Sequence, residues 1–359
     1  MLGYIFLLAV VLYLFYYLVK SVYKLNIFNK INNRFYRALV SIIVLSLIFI
    51  FFNLVNSFVI YFHLIIFLLI FNIIFYFVNK KRSKKKQISH DCILYIALCT
   101  TIVYFIIGAY LNYHVWETKY EVYTSKDIGG EYFRVVQISD SHMGNSFSGK
   151  DFIKYIDRIN KTNPDIVVIT GDFIDDDTSK QDMIDACNAL GKLSSTYGTY
   201  LVYGNHDLGY YSNKDYSSND LVENLTKNNV TILEDEVELI NDNIYLVGRK
   251  DKRYSRMSID ELVKDLDKNK YIIDLNHQPN DYDNESKAKV DLVLSGHSHG
   301  GQFIPLGPIG KIIKANDEYK GLHKRDKTTF IVNTGISGWA IKFKTGTKSE
   351  YVVVDIINK

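Results

Sequence analysis

Up to Leu111 the apolar positions run on without a period, whereas beyond it short apolar runs alternate with polar stretches of helical spacing. From Leu2 to Val19 no residue is charged, a length that matches the roughly 20 residues a helix needs to cross bilayer hydrocarbon. No basic segment precedes it and no small-residue cleavage site follows, which favours a retained span over a removable signal peptide. The run Ala38 to Val78 is too long for one crossing, and Asn53, Asn56 and Ser57 interrupt it near its middle, predicting a helical hairpin. A fourth uncharged stretch extends from Cys92 to Leu111, with Tyr110, Tyr113 and Trp116 at its far end where aromatic rings meet headgroups. The pattern predicts a four-helix transmembrane region over residues 1–111.

After Leu111 the alternation of strand-like and helix-like segments predicts an α/β layer fold, and the remaining length can bury a core of its own. Tyr132 to Ile138, Asp165 to Thr170, Thr199 to Tyr203, Ile244 to Gly248, Tyr271 to Leu275, Asp291 to Ser295 and Phe330 to Asn333 read as strands. Lys150 to Asn160, Gln181 to Leu193, Ser218 to Lys227 and Ile259 to Asp267 have helical spacing, with Ser217 and Ser258 as caps. The acid-rich stretch Asn280 to Lys289 has neither period and reads as an exposed loop. Residues 112–130 form a connector and first strand, and 131–359 the folded domain.

Charge changes this picture by giving it a direction. Up to Leu111 there are eleven Lys/Arg against a single acid, Asp91, while the rest of the chain holds 31 bases and 38 acids. An acidic folded part lacks the clustered cations that phosphate-backbone binding needs, which excludes nucleic acid as the partner. Lys20 to Arg37 and Lys80 to Lys86 lie between successive spans, so the positive-inside rule puts both loops in the cytoplasm and the folded domain outside. The protein is thus expected to be a multi-pass protein of the cell membrane with an extracytoplasmic domain. Scarce polar residues within the spans argue against a transport path. Of the three cysteines only Cys187 lies outside the apolar segments, where it reads as a buried small hydrophobe, so no disulfide closes within the folded domain.

The chemistry gathers at strand ends, where open α/β sheets place their ligands. Five clusters follow predicted strands: Asp140-Ser141-His142, Gly171-Asp172, Gly204-Asn205-His206-Asp207, Asn276-His277, and Gly296-His297-Ser298-His299-Gly300-Gly301. Five of the nine histidines fall within them, beside carboxylates and glycines, a placement that scattered core histidines would not repeat. Such a set can hold a pair of divalent metals. Two cations about 3.5–4 Å apart repel, so they need an anionic bridge and neutral or anionic ligands on either side. Mixed His, Asp and Asn donors suit Mn, Fe, Zn or Ni, and no cysteine stands near to make a thiolate zinc site. Gly171, Gly204 and Gly296 are expected to let the backbone turn sharply.

The order DxH, GD, GNHD, H, GHxH resembles the calcineurin-like metallophosphoesterase superfamily. The strings Ile138 to Gly144, His277-Gln278-Pro279 and Ser295 to Gln302 resemble its bacterial subgroup with membrane-attached or envelope-facing members. The resemblance covers about Glu131 to Ile356 and implies a layered β-sheet domain of αββα type. It also implies a first metal held by Asp140, His142, Asp172 and His299, and a second by Asp172, Asn205, His277 and His297, with Asp172 as the bridge. His206 would then sit over the substrate phosphate and donate to a phosphoryl oxygen or the leaving group, with Asp207 as its orienter, while a hydroxide shared by the metals attacks in line. Where some iron(III) relatives carry a metal-binding tyrosine, this chain has Asp175, so a tyrosinate-coloured site is not expected. In Gly338 to Phe343, where relatives often carry arginine, it has Lys342, which cannot make the same two-point contact with phosphate.

These readings predict a membrane-anchored hydrolase of phosphomono- or phosphodiesters, with envelope or lipid-linked phosphoesters as the substrates that its location suggests. The rival is a sensor that keeps the metal site without turnover and uses the membrane helices as output. No GxxxxGK[ST] run is present to support a P-loop nucleotide site.

Overall fold

The computed structural model describes residues 2–209 and 214–359, the side chains of residues 2–8 excepted. The chain divides into two compact units, Met1–Ile107 and Gly108–Lys359.

In the first unit, helix α1 (Leu2–Tyr23) is followed by α2 (Arg34–Ser46), α3 (Leu54–Lys80) and α4 (His90–Tyr113), the last running on into the second unit. Among the described residues, two helical stretches are long and apolar enough to cross a membrane, Leu54–Lys80 and Lys84–Tyr113. The apolar run from Ala38 is divided differently from a symmetric hairpin. Its first arm is the 13-residue α2, which passes into a tight 3-10 turn at Leu47–Ile50 and is shorter than a crossing requires. The break itself falls at the polar residues, where the Asn53 side chain accepts from the backbone N–H of Asn56 and starts α3. Leu18, Leu45, Leu64, Leu68 and Ala97 are among the residues that pack the interior of this unit.

The second unit holds two six-stranded sheets. One contains β1 (Val115–Thr124), β2 (Tyr132–Ile138), β3 (Ile166–Thr170), β4 (Thr199–Val202), β5 (Val230–Ile232) and β12 (Ser349–Asn358), in the order β1-β12-β2-β3-β4-β5. The other contains β6 (Glu236–Ile240), β7 (Ile244–Gly248), β8 (Tyr271–Leu275), β9 (Leu292–Ser295), β10 (Gly321–Arg325) and β11 (Thr328–Val332), in the order β10-β11-β9-β8-β7-β6. Strands β2 to β5 are parallel, as are β7, β8, β9 and β11, so their C-terminal ends gather at one edge of each sheet.

Successive side chains of a strand face opposite ways, and that alternation builds the layers. In β3, Ile166 and Val168 point into the core between the sheets, while Val167 and Ile169 point to the core beneath α5 (Gly149–Asn160), α6 (Lys180–Leu190) and α7 (Ser218–Lys227). In β9, Leu292 and Leu294 join the inter-sheet core and Val293 the core beneath α8 (Ile259–Val263) and α9 (Tyr282–Lys287). The result is a mixed α/β sandwich of two sheets with helices outside them. Leu246, fully buried between the sheets and remote from the strand-end loops, tests this layer. Leu246→Ala is expected to lower stability by about 3 kcal/mol in urea unfolding, the usual cost of a core cavity.

Residues 115–124 supply the first strand expected within 112–130, and pair over their whole length with β12 to extend the sheet. Two features depart from the sequence reading. The stretch Asn280 to Lys289, read as an exposed loop, contains α9, with Tyr282 and Glu285 buried. Its period is hidden because one inward position is a carboxylate, Glu285, which lies 3.2 Å from the buried Arg249. The helix predicted to Asp267 ends at Val263. Both predicted caps form, with Ser217 and Ser258 each closing a capping box. Cys187 is buried beneath the outer helices, where burial pushes its thiol up to about 12.

Candidate metal centre

The two stacked sheets are tied together at the C-terminal ends of their parallel strands. Gln137 at the end of β2 donates both to Thr170 Oγ1 (2.8 Å) and across to Ser295 O (2.9 Å) in the other sheet, and Asn333 Nδ2 donates back to Gln137 O. The loops beyond this seam carry all seven residues proposed as ligands. Asp140 and His142 follow β2, Asp172 follows β3, Asn205 follows β4, His277 follows β8, and His297 and His299 follow β9.

They converge in two groups. Asp140, His142 and His299 form one, with His142 Nε2 3.1 Å from His299 Nε2, which stands 3.4 Å from Asp140 Oδ1. Asp172, His277 and His297 form the other, with His277 Nε2 3.2 Å from both Asp172 Oδ2 and Asn205 Oδ1. Asp172 Oδ2 also lies 3.7 Å from His142 Nε2, so one carboxylate oxygen faces both groups. Donor atoms sharing a centre about 2.1 Å away stand roughly 3–3.4 Å apart, and the nitrogen and oxygen spacings fit that requirement. Five of the seven residues, Asp140, His142, Asp172, His297 and His299, have positive φ, which non-glycine residues rarely adopt. Such backbone persists only where its surroundings enforce it, and it collects at functional sites.

The second layer fixes which ring nitrogen faces inward. His277 Nδ1 is 2.8 Å from Thr170 O, His142 Nδ1 is 3.0 Å from Asp175 Oδ2, and His299 Nδ1 is 3.4 Å from Ser337 O. Each acceptor takes the Nδ1–H and leaves the Nε2 lone pair for a ligand in the centre. Burial pushes His297 down to about 4 and holds His299 well below the usual histidine range, so both rings are neutral. Burial also opposes charge on His277, but Asp172 outweighs it and holds that ring up to about 10. Asp140 is raised by burial, whereas Asp172, equally buried, is held well below the usual carboxylate range by His277 and His142. Two buried carboxylates amid imidazoles form a donor set suited to cations, which His277 could join only by giving up its second proton.

The sequence model of the Metallophos family, described as calcineurin-like phosphoesterase, matches residues 133–301. An uncharacterized metallophosphoesterase of Aquifex aeolicus is 32% identical over 212 residues, covering 56% of this chain and 77% of that protein. YkoQ of Bacillus subtilis, also an uncharacterized metallophosphoesterase, is 30% identical over 226 residues, covering 60% of this chain and 80% of that one. The chain belongs to the calcineurin-like metallophosphoesterase family. A Helicobacter pylori relative (strain 26695) is 33% identical, but the chain covers only 60% of its length. Among solved structures, a dimetal phosphatase from Danio rerio is similar at a TM-score of 0.38 and 12% identity, covering 56% of this chain and 87% of that one.

In this metallophosphoesterase the residue expected to orient His206 does something else. The Asp207 carboxylate accepts from three backbone N–H groups, those of Gly204 (2.7 Å), Asp172 (2.9 Å) and Ile174 (3.1 Å). It therefore ties the second and third strand-end loops together, and burial pushes it up to about 6. The carboxylate beside the His206 ring is Asp175, whose Oδ1 is 3.1 Å from His206 Nδ1 while its Oδ2 serves His142. Burial opposes charge on Asp175, but the two histidines hold its carboxyl far below the usual range. In the sequence Asp175 stands out only as the position that lacks a tyrosine. The available signal was the run Asp175-Asp176-Asp177 directly after the Gly171-Asp172 cluster. His206 is partly exposed, its backbone N–H donates to Asp172 Oδ1 (2.8 Å), and its ring lies 5.4 Å from that of Trp339.

The glycines also act differently from one another. Gly171 has the positive φ of a sharp turn, +85°, but Gly204 and Gly296 do not. What those two supply is room: a Cβ on Gly204 would strike the Asp172 carboxylate, and one on Gly296 would strike Ser139 Oγ and Asp140 Oδ2. Gly296→Ala is therefore expected to displace Asp140 and cost on the order of a hundredfold in phosphoester hydrolysis while circular dichroism stays unchanged.

Proposed function

We propose that this metallophosphoesterase is a membrane-anchored hydrolase of phosphomono- or phosphodiesters that works with two divalent cations of the Mn, Fe, Zn or Ni class. The observation that carries the reading is the single Asp172 oxygen facing both donor groups. Asp140, His142, Asp172 and His299 would hold one cation, and Asp172, Asn205, His277 and His297 the other. Such a pair supplies a nucleophilic water at neutral pH and neutralises charge on the phosphoryl group.

The protein's own part is positional. His206 at the open side donates its Nε2 proton to a phosphoryl oxygen or to the leaving group, and Asp175, whose Oδ1 stands 3.1 Å from Nδ1, favours the charged ring or the tautomer with a proton there. Asp207 keeps the Asp172 and His206 loops at fixed separation. In the membrane, α1, and α2 together with the 3-10 turn that lengthens it to Ile50, would complete a four-span region with α3 and α4, the basic loops in the cytoplasm and the catalytic unit outside. A Bos taurus relative, 29% identical over 233 residues, is named a transmembrane protein with metallophosphoesterase domain, in keeping with this reading. Envelope or lipid-linked phosphoesters would be the substrates.

The test is hydrolysis of aryl phosphomono- and diesters by the purified full chain, with metal content measured alongside. Activity lost to a chelator and restored by Mn supports the proposal. Retained metal without turnover on any ester would favour the sensor, and no retained metal would remove both. A reporter fused after Lys359 that is active only in the cytoplasm is expected to stay silent, and a signal from it reverses the orientation.

A further inference from the structure

The catalytic unit carries an apolar surface that its fold does not use. Helix α10 (Leu306–Ile312) and its flanks expose Ile304, Leu306, Ile309, Ile312 and Ile313, the last two at 77% and 68%, and Trp339 is 44% exposed on a separate loop. Gln302 joins the two segments: its Nε2 donates to Trp339 O (3.1 Å) and Ile341 O (2.6 Å), and its Oε1 accepts from Trp339 N (3.2 Å). Thr345 N also donates to Gln302 O. The surface begins at the metal centre, because the Trp339 ring stands 5.4 Å from that of His206 and 6.5 Å from that of His142.

Charge says what this surface meets. Residues 296–316 and 335–349 contain no acid, and Lys311, Lys314 and Lys342 stand exposed among the apolar side chains, Lys311 also pairing with Glu318. Exposed isoleucines with a tryptophan and lysines, with Glu318 beside Lys311 at the border, are the composition of an element lying in a membrane interface against anionic headgroups. Protein interfaces, by contrast, are depleted in lysine. We infer that α10 and the Trp339 loop are a docking surface for an anionic lipid bilayer, which brings the phosphate of a bilayer lipid to the metal centre. The inference rests on the membrane anchoring proposed above and deepens it by naming the substrate's setting.

The experiment uses the full chain in nanodiscs of phosphatidylglycerol and phosphatidylcholine whose acyl chains are brominated, since bromine quenches tryptophan only on contact. The chain has two tryptophans, so three proteins each keep one reporter: Trp116→Phe retains Trp339, Trp339→Phe retains Trp116, and Ile312→Trp with both of those changes reports from α10. Residue 312 is exposed enough to take the ring without repacking. Emission from positions 312 and 339 is expected to fall by about half in brominated lipid, and Lys311→Glu with Lys314→Glu to reduce quenching at 312 about twofold. Quenching of Trp116 alone would overturn docking while leaving anchoring intact, and quenching of none would overturn both. Protection from acrylamide without bromine quenching would assign the surface to a protein, a second copy or this chain's own helices, and also overturn the inference. Quenching at 312 indifferent to the lysine changes would remove the anionic lipid.

Discussion

Asp172→Asn is expected to lower kcat on aryl phosphoesters by on the order of a thousandfold or more, and bound metal from about two equivalents to one or fewer. The reason lies in what each Asp172 oxygen does. Oδ2 faces His142 Nε2 at 3.7 Å and His277 Nε2 at 3.2 Å, so it is the atom common to both donor groups. Oδ1 accepts the backbone N–H of His206 at 2.8 Å, which holds the side chain in this orientation. An asparagine keeps the shape but offers one oxygen and no charge. Placing that oxygen toward His206 turns an N–H pair at the ligand position, and the reverse places two donors face to face at the His206 backbone. The two cations proposed for this site would then lose the anion that offsets their repulsion. Metal analysis of the purified variant beside its circular dichroism separates this from unfolding. A variant that keeps two metals and full turnover would show that Asp172 is not the bridge.

The strand ends that build this centre were legible because their strands are buried on both faces. Ile166–Thr170 and Leu292–Ser295 read as unbroken apolar runs ending in glycine and chemistry. The edge strands of the second sheet were not legible for the converse reason. Glu236–Ile240 has one buried residue and Gly321–Arg325 has none. The strand Ser349–Asn358 is a different case, since Val352–Val354 is an apolar run that periodicity alone could find, but it lies beyond the last histidine cluster. Helix α9 stayed hidden because a buried carboxylate answers a buried guanidinium, an arrangement with no hydrophobic period. The membrane half shows the limit of counting apolar residues, because the 3-10 turn after Ser46 divides a run whose composition alone reads as one arm of a hairpin. At the site, types and spacing pointed to seven residues that the fold brings together, six in two carboxylate–histidine groups and Asn205 beside His277, yet adjacency misassigned the residue beside His206. Asp207 follows it in sequence but accepts from the backbones of its own loop and of the Asp172 loop, and Asp175 reaches it from the neighbouring strand end.

That exchange of partners leads to the second large effect. His206→Ala is expected to lower kcat by about 10²–10⁴-fold, the range for loss of a positioned proton donor, while metal content stays unchanged. Asp175→Asn should cost less, about 10–100-fold, because it removes an orienting contact to both His206 and His142. The two changes are expected to be non-additive, since an orienter has little left to do once the ring it holds is gone. Leaving-group dependence separates donation from mere placement. If His206 protonates the departing oxygen, its removal should hurt esters of poorly acidic alcohols far more than those of nitrophenol, which leaves without a proton. Equal losses across the series would instead assign His206 to the non-departing phosphoryl oxygens. Asp207→Asn provides the contrast, because its three backbone bonds hold the loops that carry Asp172 and Asn205. It should lower thermal stability and metal content together, with no change in leaving-group dependence among the molecules that remain loaded. A leaving-group profile altered by Asp207→Asn and untouched by Asp175→Asn would return the orienting role to the sequence neighbour.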